Sequence, residues 1–179
     1  MAEYVFKGYM CQGIHLVDGG YIGVMSWDVD KTKSHIFELW YFDGKGTRNC
    51  LYSSEPAKEI ILPHYNFDDY HEAEFSEKWI TDNLLEITVI GKKDKISIKI
   101  EAEEWHLWGK ATIEGVTENK YRYTHEPEQM AFCRSVEIVI NGKAVEVQND
   151  QSEILFVGTA PMPNKPLLTK CIRRVYPPE

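Results

Sequence analysis

The chain has 179 residues, 43% of them hydrophobic and 27% charged, with a net charge of −8. That is a folded domain able to bury a core without disulfides or metal, not a disordered chain. Its lysines and arginines are scattered, which excludes a nucleic-acid or anionic-membrane surface, and no apolar run is long enough to cross a bilayer.

Met1 to Tyr9 carries charge and lacks the basic start and apolar stretch of a signal peptide, so a cytoplasmic protein is expected. From there the elements follow in order. The Gly19-Gly20 turn leads into a strand from Tyr21 to Asp28. A second strand runs from His35 to Asp43 and stops at Asp43-Gly44, and Thr47 to Ser54 pairs back across that turn. A short helix fits Glu55 to Ile61. Another strand spans Glu72 to Ile80.

The strongest local signal is alternation. Leu85, Ile87 and Val89 share one face and Glu86 and Thr88 the other. After the polar turn Gly91 to Lys95, Ile96, Ile98 and Ile100 resume the pattern against Ser97, Lys99 and Glu101. Two such runs around a turn make a hairpin with one buried face. Ala111 to Thr117 reads as a strand, and Glu126 to Met130 as a second short helix. Val136, Ile138 and Ile140 then run into Asn141-Gly142 and on to Val145 and Val147, the most specific hairpin signal in the chain. Ile154 to Gly158 and Leu168 to Tyr176 complete about ten strands. Pro161, Pro163 and Pro166 mark an irregular connection, and Pro177-Pro178 ends the last strand. The fold class is all-β, a single antiparallel barrel or a tight sandwich, in one domain.

The chemistry to look for is a polar residue on an otherwise apolar face. Continuing the Ile96–Ile98–Ile100 face by twos gives Ala102, Glu104, His106 and Trp108. An unbroken strand would bring an acid, an imidazole and an indole into the interior, a pair suited to proton transfer. If the strand instead ends near Glu103, these are rim residues. Glu38 shares a face with Ile36, Trp40 and Phe42, while Phe37, Leu39 and Tyr41 fill the other. A buried carboxylate must be paired or functional, but both faces are apolar and either can look inward. Tyr121, Tyr123 and His125 alternate on one strand face and offer polar tips to a cavity.

Other chemistries find little support. His64 to Glu72 is rich in metal-capable side chains, yet its spacing matches no ligand pattern, and no metal is expected. Cys11, Cys50, Cys133 and Cys171 lie far apart and read as free, mostly buried thiols. There is no Gly-x-Ser-x-Gly elbow, and no helix follows the Gly19 to Gly23 turn to hold a phosphate. No cofactor is expected.

The segment Phe37-Glu38-Leu39-Trp40-Tyr41-Phe42-Asp43-Gly44 resembles the Glu-x-Trp-Tyr-Phe strand of lipocalin-like barrels related to carotenoid hydratases and tocopherol cyclase. Those families bind hydrophobic molecules in a β-barrel, and some hydrate or cyclise isoprenoid chains. The resemblance implies that Glu38 and Trp40 stand near a ligand.

The leading functional expectation is a barrel that binds a small, largely hydrophobic or ring-bearing molecule, with Glu38, Trp40, Trp108, Tyr121 and Tyr123 as contacts. The competitor is a cofactor-independent isomerase, cyclase, hydratase or lyase using Glu104 and His106 as acid and base. A carbohydrate-binding sandwich is third, and the placement of Trp40, Trp105 and Trp108 separates the three. The expected partner is this small molecule, with a homodimer left open and neither nucleic acid nor membrane involved.

Overall fold

The computed structural model describes residues 3–42, 45–55, 67–107, 112–149, 154–157 and 160–178, with only the backbone described between 154 and 163. The principal strands are β1 (Tyr4–His15), β2 (Tyr21–Val29), β3 (His35–Phe42), β4 (Thr47–Ser53), β5 (Asp69–Thr81), β6 (Leu84–Gly91) and β7 (Lys95–Ala102). Short β8 (His106–Leu107) and β9 (Ile113–Val116) precede the long β10 (Arg122–Ile140), followed by β11 (Lys143–Val145), β12 (Ile154–Val157), β13 (Ala160–Pro163) and β14 (Leu167–Tyr176). No described helix is long and apolar enough to cross a membrane.

The strands pair in the order β10-β14-β1-β2-β3-β4-β5-β6-β7, and β7 pairs again with β10. The sheet therefore closes on itself, which removes its exposed edges. Every junction in the ring is antiparallel except β4 with β5, which run parallel from Cys50↔Asp69 to Ser53↔Glu72. At the closing seam Ile98 faces Ile138 and Ile96 faces Ile140. The alternating Leu85, Ile87 and Val89 of β6 and Ile96, Ile98 and Ile100 of β7 point into the barrel with Leu39, Val24, Cys11 and Leu168. Each fully buried isoleucine contributes roughly 2 kcal/mol through lost apolar hydration.

A second apolar cluster, including Phe6, Trp27, Ile36, Leu51 and Val175, lies on the outer face of β14, β1, β2, β3 and β4. β3 shows the split directly: Ile36 belongs to the outer cluster and Phe37 to the inner one. Both faces of this strand are buried, which accounts for its apolar residues on both sides.

Three expectations change. β1 is a twelve-residue strand where no element was expected. Its pairing shifts between Cys11 and Ile14, so Cys11 and Ile14 face inward although their spacing breaks the alternation. Glu126 to Met130 is part of β10 rather than a helix, carrying its own register shift between Pro127 and Gln129. β7 ends at Ala102, and Glu104 and His106 are exposed beyond it. The helix expected over 55–61 lies almost wholly outside the described residues, as does 64–66 of the His64 to Glu72 segment.

The Asn141-Gly142 hairpin forms as expected, with φ of 52° and 78°. Both angles are left-handed, and a β-branched side chain there costs roughly 1–2 kcal/mol. Gly142→Val should lower unfolding free energy by about that amount in urea denaturation. An unchanged midpoint would show that this turn does not constrain the β10–β11 hairpin.

Candidate functional site

One end of the barrel holds a cavity of about 610 Å³. Its walls are inward side chains of successive strands, with Leu16, Ile22, Leu39, Ile96, Ile140 and Val145 supplying the apolar surface. Tyr41 and Tyr52 add aromatic area, and Cys50, His71 and Asp94 add polar atoms. Asp18, Arg48, Asp69 and Glu146 complete the lining.

The polar wall is held in place by its own bonds. Tyr52 Oη donates to Asp94 Oδ2 at 3.1 Å, and Asn141 Nδ2 donates to Asp94 Oδ1 at 3.1 Å. The β6–β7 turn is thereby tied to the Asn141-Gly142 turn and to β4. Burial and the adjacent Asp94 carboxylate push the Tyr52 phenol well above its ordinary range, so it stays protonated. Arg48 Nε donates to Asp69 Oδ2 at 3.1 Å across the parallel β4–β5 junction. Burial, followed by Asp69, raises the Cys50 thiol. It is a neutral wall group there, not an activated nucleophile.

The sequence-expected residues fall elsewhere. Glu38 and Trp40 lie on the outer face of β3; Leu39 and Tyr41, between and beside them, line the cavity. The Trp40 ring covers Gly23, where an added Cβ would sit 1.9 Å from ring carbons. Tyr123 and the buried His125 face the outer cluster, as does Tyr121. Arg173 lies 4.2 Å from the Tyr123 ring centroid, and His125 meets the Trp27 ring edge-on at 6.1 Å. Glu104 and His106 form no interior pair, because β7 stops two residues before Glu104 and His106 pairs with Met130 instead. Trp108 lies outside the described residues. Trp105 is half-buried beside Trp79 with ring centroids 6.0 Å apart, and its Nε1 donates to the Asp82 carbonyl at 3.3 Å.

Tyr52, His71 and Asp94 were not picked out from the sequence as a group. Tyr52 lies in an expected strand and Asp94 in an expected turn, but His71 precedes the strand expected from Glu72, and the parallel β4–β5 junction that joins it to Tyr52 leaves no local signal. A usable clue was present on β3, where the face free of charge, Phe37–Leu39–Tyr41, is the inward one.

Glu38 is nonetheless unusual. Its side chain is buried, Oε2 has no hydrogen-bond partner, and desolvation raises its pKa to about 7 against a smaller lowering by Arg173. Trp27 Nε1 and His125 Nε2 are likewise buried without a partner. Burial, and then the Arg173 charge, lower the His125 pKa and keep its imidazole neutral. No metal-holding group of three His, Cys, Asp or Glu side chains occurs among the described residues.

No family model and no curated protein matches the chain. Solved structures do. An acetoacetate decarboxylase from Legionella pneumophila aligns with TM-score 0.49 and 5% identity, over 97% of this chain and 84% of that one. A second acetoacetate decarboxylase aligns with TM-score 0.47 and 7% identity, over 97% and 86%. A protein assigned as AttH from Nitrosomonas europaea aligns with TM-score 0.40 and 10% identity, over 98% of this chain and 52% of that one. Likeness at this level transfers no activity, and it does not establish kinship with carotenoid hydratases or tocopherol cyclase.

The raised Glu38 pKa sets a pH dependence of stability. The folded carboxyl keeps its proton to higher pH than the unfolded one, so it costs nothing below about pH 4.5. The cost grows as pH rises and levels off above the folded value of about 7. The full difference is about 3 kcal/mol. Glu38→Gln should therefore match the natural chain in acid and exceed its stability by up to that amount in mild alkali. Parallel stability–pH curves for the two proteins would refute a buried carboxyl that keeps its proton into the neutral range.

Proposed function

We propose that the protein binds a small, largely apolar molecule in the cavity at the barrel mouth. The single observation behind this reading is the cavity itself: about 610 Å³, walled by six aliphatic side chains and two tyrosines together with ionisable side chains, of which Asp94 is fixed by hydrogen bonds. That volume lies within the range of small-molecule sites, and a mostly apolar wall with a few oriented polar groups is how such sites combine affinity with orientation. The aliphatic surface takes the body of the ligand. Tyr52, Asp94 and His71 meet a polar tip, and the Tyr52–Asp94 hydrogen bond fixes where that tip lies.

A second reading, a cofactor-independent isomerase or lyase, is supported by His71 and Asp94 lining the same cavity. An imidazole and a carboxylate beside an apolar substrate can pass a proton between two of its atoms. The acid and base of that reading are these two residues, and not Glu104 and His106.

Saturable one-to-one binding of an apolar dye such as Nile red, followed by fluorescence, tests the first reading. Leu39→Trp fills the cavity from a buried position and should weaken binding by at least about tenfold, at a stability cost of roughly 1–3 kcal/mol. Equal affinity in that variant would place the dye elsewhere and remove the cavity as the site. Native mass spectrometry of protein purified from its host would identify a retained ligand. If that ligand is turned over, His71→Gln and Asp94→Asn should keep binding and lose turnover.

A further inference from the structure

The opposite end of the barrel has a different character. Lys7 on β1 faces Asp28 on β2 in the sheet register, and both line a cavity of about 350 Å³ with Tyr9, Glu77, Glu128 and Lys170. Behind this wall runs a continuous hydrogen-bonded chain. His35 Nδ1 lies 2.8 Å from Asp28 Oδ1, and His35 Nε2 lies 2.8 Å from Ser26 Oγ. Ser26 Oγ lies 2.5 Å from Glu77 Oε2.

The order serine, histidine, aspartate is that of a nucleophilic triad. Ser26 is only 1% exposed, however, and its oxygen is engaged by Glu77 as well as His35. It has no path to a substrate. Glu77 and Asp28 are the members of the chain that reach the cavity.

Counting hydrogens shows what the chain does. Three contacts need three protons, while a serine hydroxyl and a neutral imidazole supply two. The third sits on His35 or on Glu77. Those two arrangements interconvert when Ser26 passes its proton along one bond and receives one along the other. Burial raises the Glu77 pKa against smaller lowering by Ser26 and His35, which favours holding that proton. With the proton held, His35 and Glu77 are neutral as a pair, and Lys7 and Lys170 balance Asp28 and Glu128. With it lost, Glu77 adds an uncompensated negative charge to the mouth.

We propose that this charged mouth is a proton-coupled anion site, which takes a small carboxylate between Lys7 and Lys170 while the Asp28–His35–Ser26–Glu77 chain holds its proton. Lys7 and Lys170 are in no ion pair among the described residues and stand on neighbouring strands, where Lys7 pairs with Ile172 and Tyr9 with Lys170. The titratable and charged groups that line the mouth around the chain are Glu128 on β10, Tyr9 and Lys7 on β1, and Lys170 on β14.

Sodium acetate and methylammonium chloride, matched in ionic strength, are the probes for an amide-resolved NMR titration of the full chain. Acetate should shift Lys7, Gly8, Lys170 and Ile172 saturably, and methylammonium should not. The acetate dissociation constant should rise at least about threefold as the pH is raised from mildly acid to mildly alkaline. In Glu77→Gln, acetate should still bind, with that pH dependence lost. The exposed pair Lys7→Ala with Lys170→Ala should fold and bind at least about tenfold more weakly. Methylammonium binding as tightly as acetate, no saturable acetate shift, or a pH dependence that survives Glu77→Gln would each overturn the proposal.

Discussion

β10 is hydrogen-bonded to β14 over Arg122–Phe132 and to β7 over Cys133–Ile140, and on this double pairing the rest of the barrel depends. Its nineteen residues are long enough for its two halves to serve the two ends of one sheet. Because the pairing regions follow one another along β10, the ring closes with a stagger, as a tilted-strand barrel requires. Closure turns the alternation of β6 and β7 into an interior, since the isoleucine face now meets β1, β2, β3 and β14 across the lumen.

Two bulges make β10 able to do this. The register shifts at Pro127/Gln129 and at Cys133/Ser135 each insert one residue, and each reverses which parity points inward. Tyr123 and His125 therefore face outward, Ala131 and Cys133 inward, and Val136, Ile138 and Ile140 inward again. A side-chain pattern extended by twos through such a strand assigns the wrong face after every bulge. The same device in β1 keeps Cys11 and Ile14 in one core.

The polar groups are distributed by this geometry into three environments. At one mouth, Tyr52 and Asp94 border an aliphatic cavity and are fixed by turns from two hairpins. At the other, Ser26, His35, Glu77 and Asp28 satisfy one another within hydrogen-bond distance. On the outer face, Glu38 is buried among apolar side chains without a partner for Oε2, the costliest of the three arrangements. The first two place charge where solvent or a guest can reach it, whereas Glu38 meets its burial by holding a proton up to about pH 7.

Local chemistry alone determined the all-β class, the β6–β7 and β10–β11 hairpins and their turns. A two-residue period and an Asn-Gly turn act within a few residues of chain and need no distant partner. The sequence also marked Glu38 as an anomalous acid, because a charge on an apolar face is visible without knowing what covers it. Tertiary structure decided everything that depends on closure. Which face of β3 looks inward follows from the β7–β10 seam, and the meeting of Tyr52 with His71 from a parallel pairing across a long connection. The end of β7 at Ala102 follows from β10 leaving it at Cys133 to pair onward with β8. Side-chain direction in a strand is local, but inside and outside are properties of the closed sheet, and no single strand carries them.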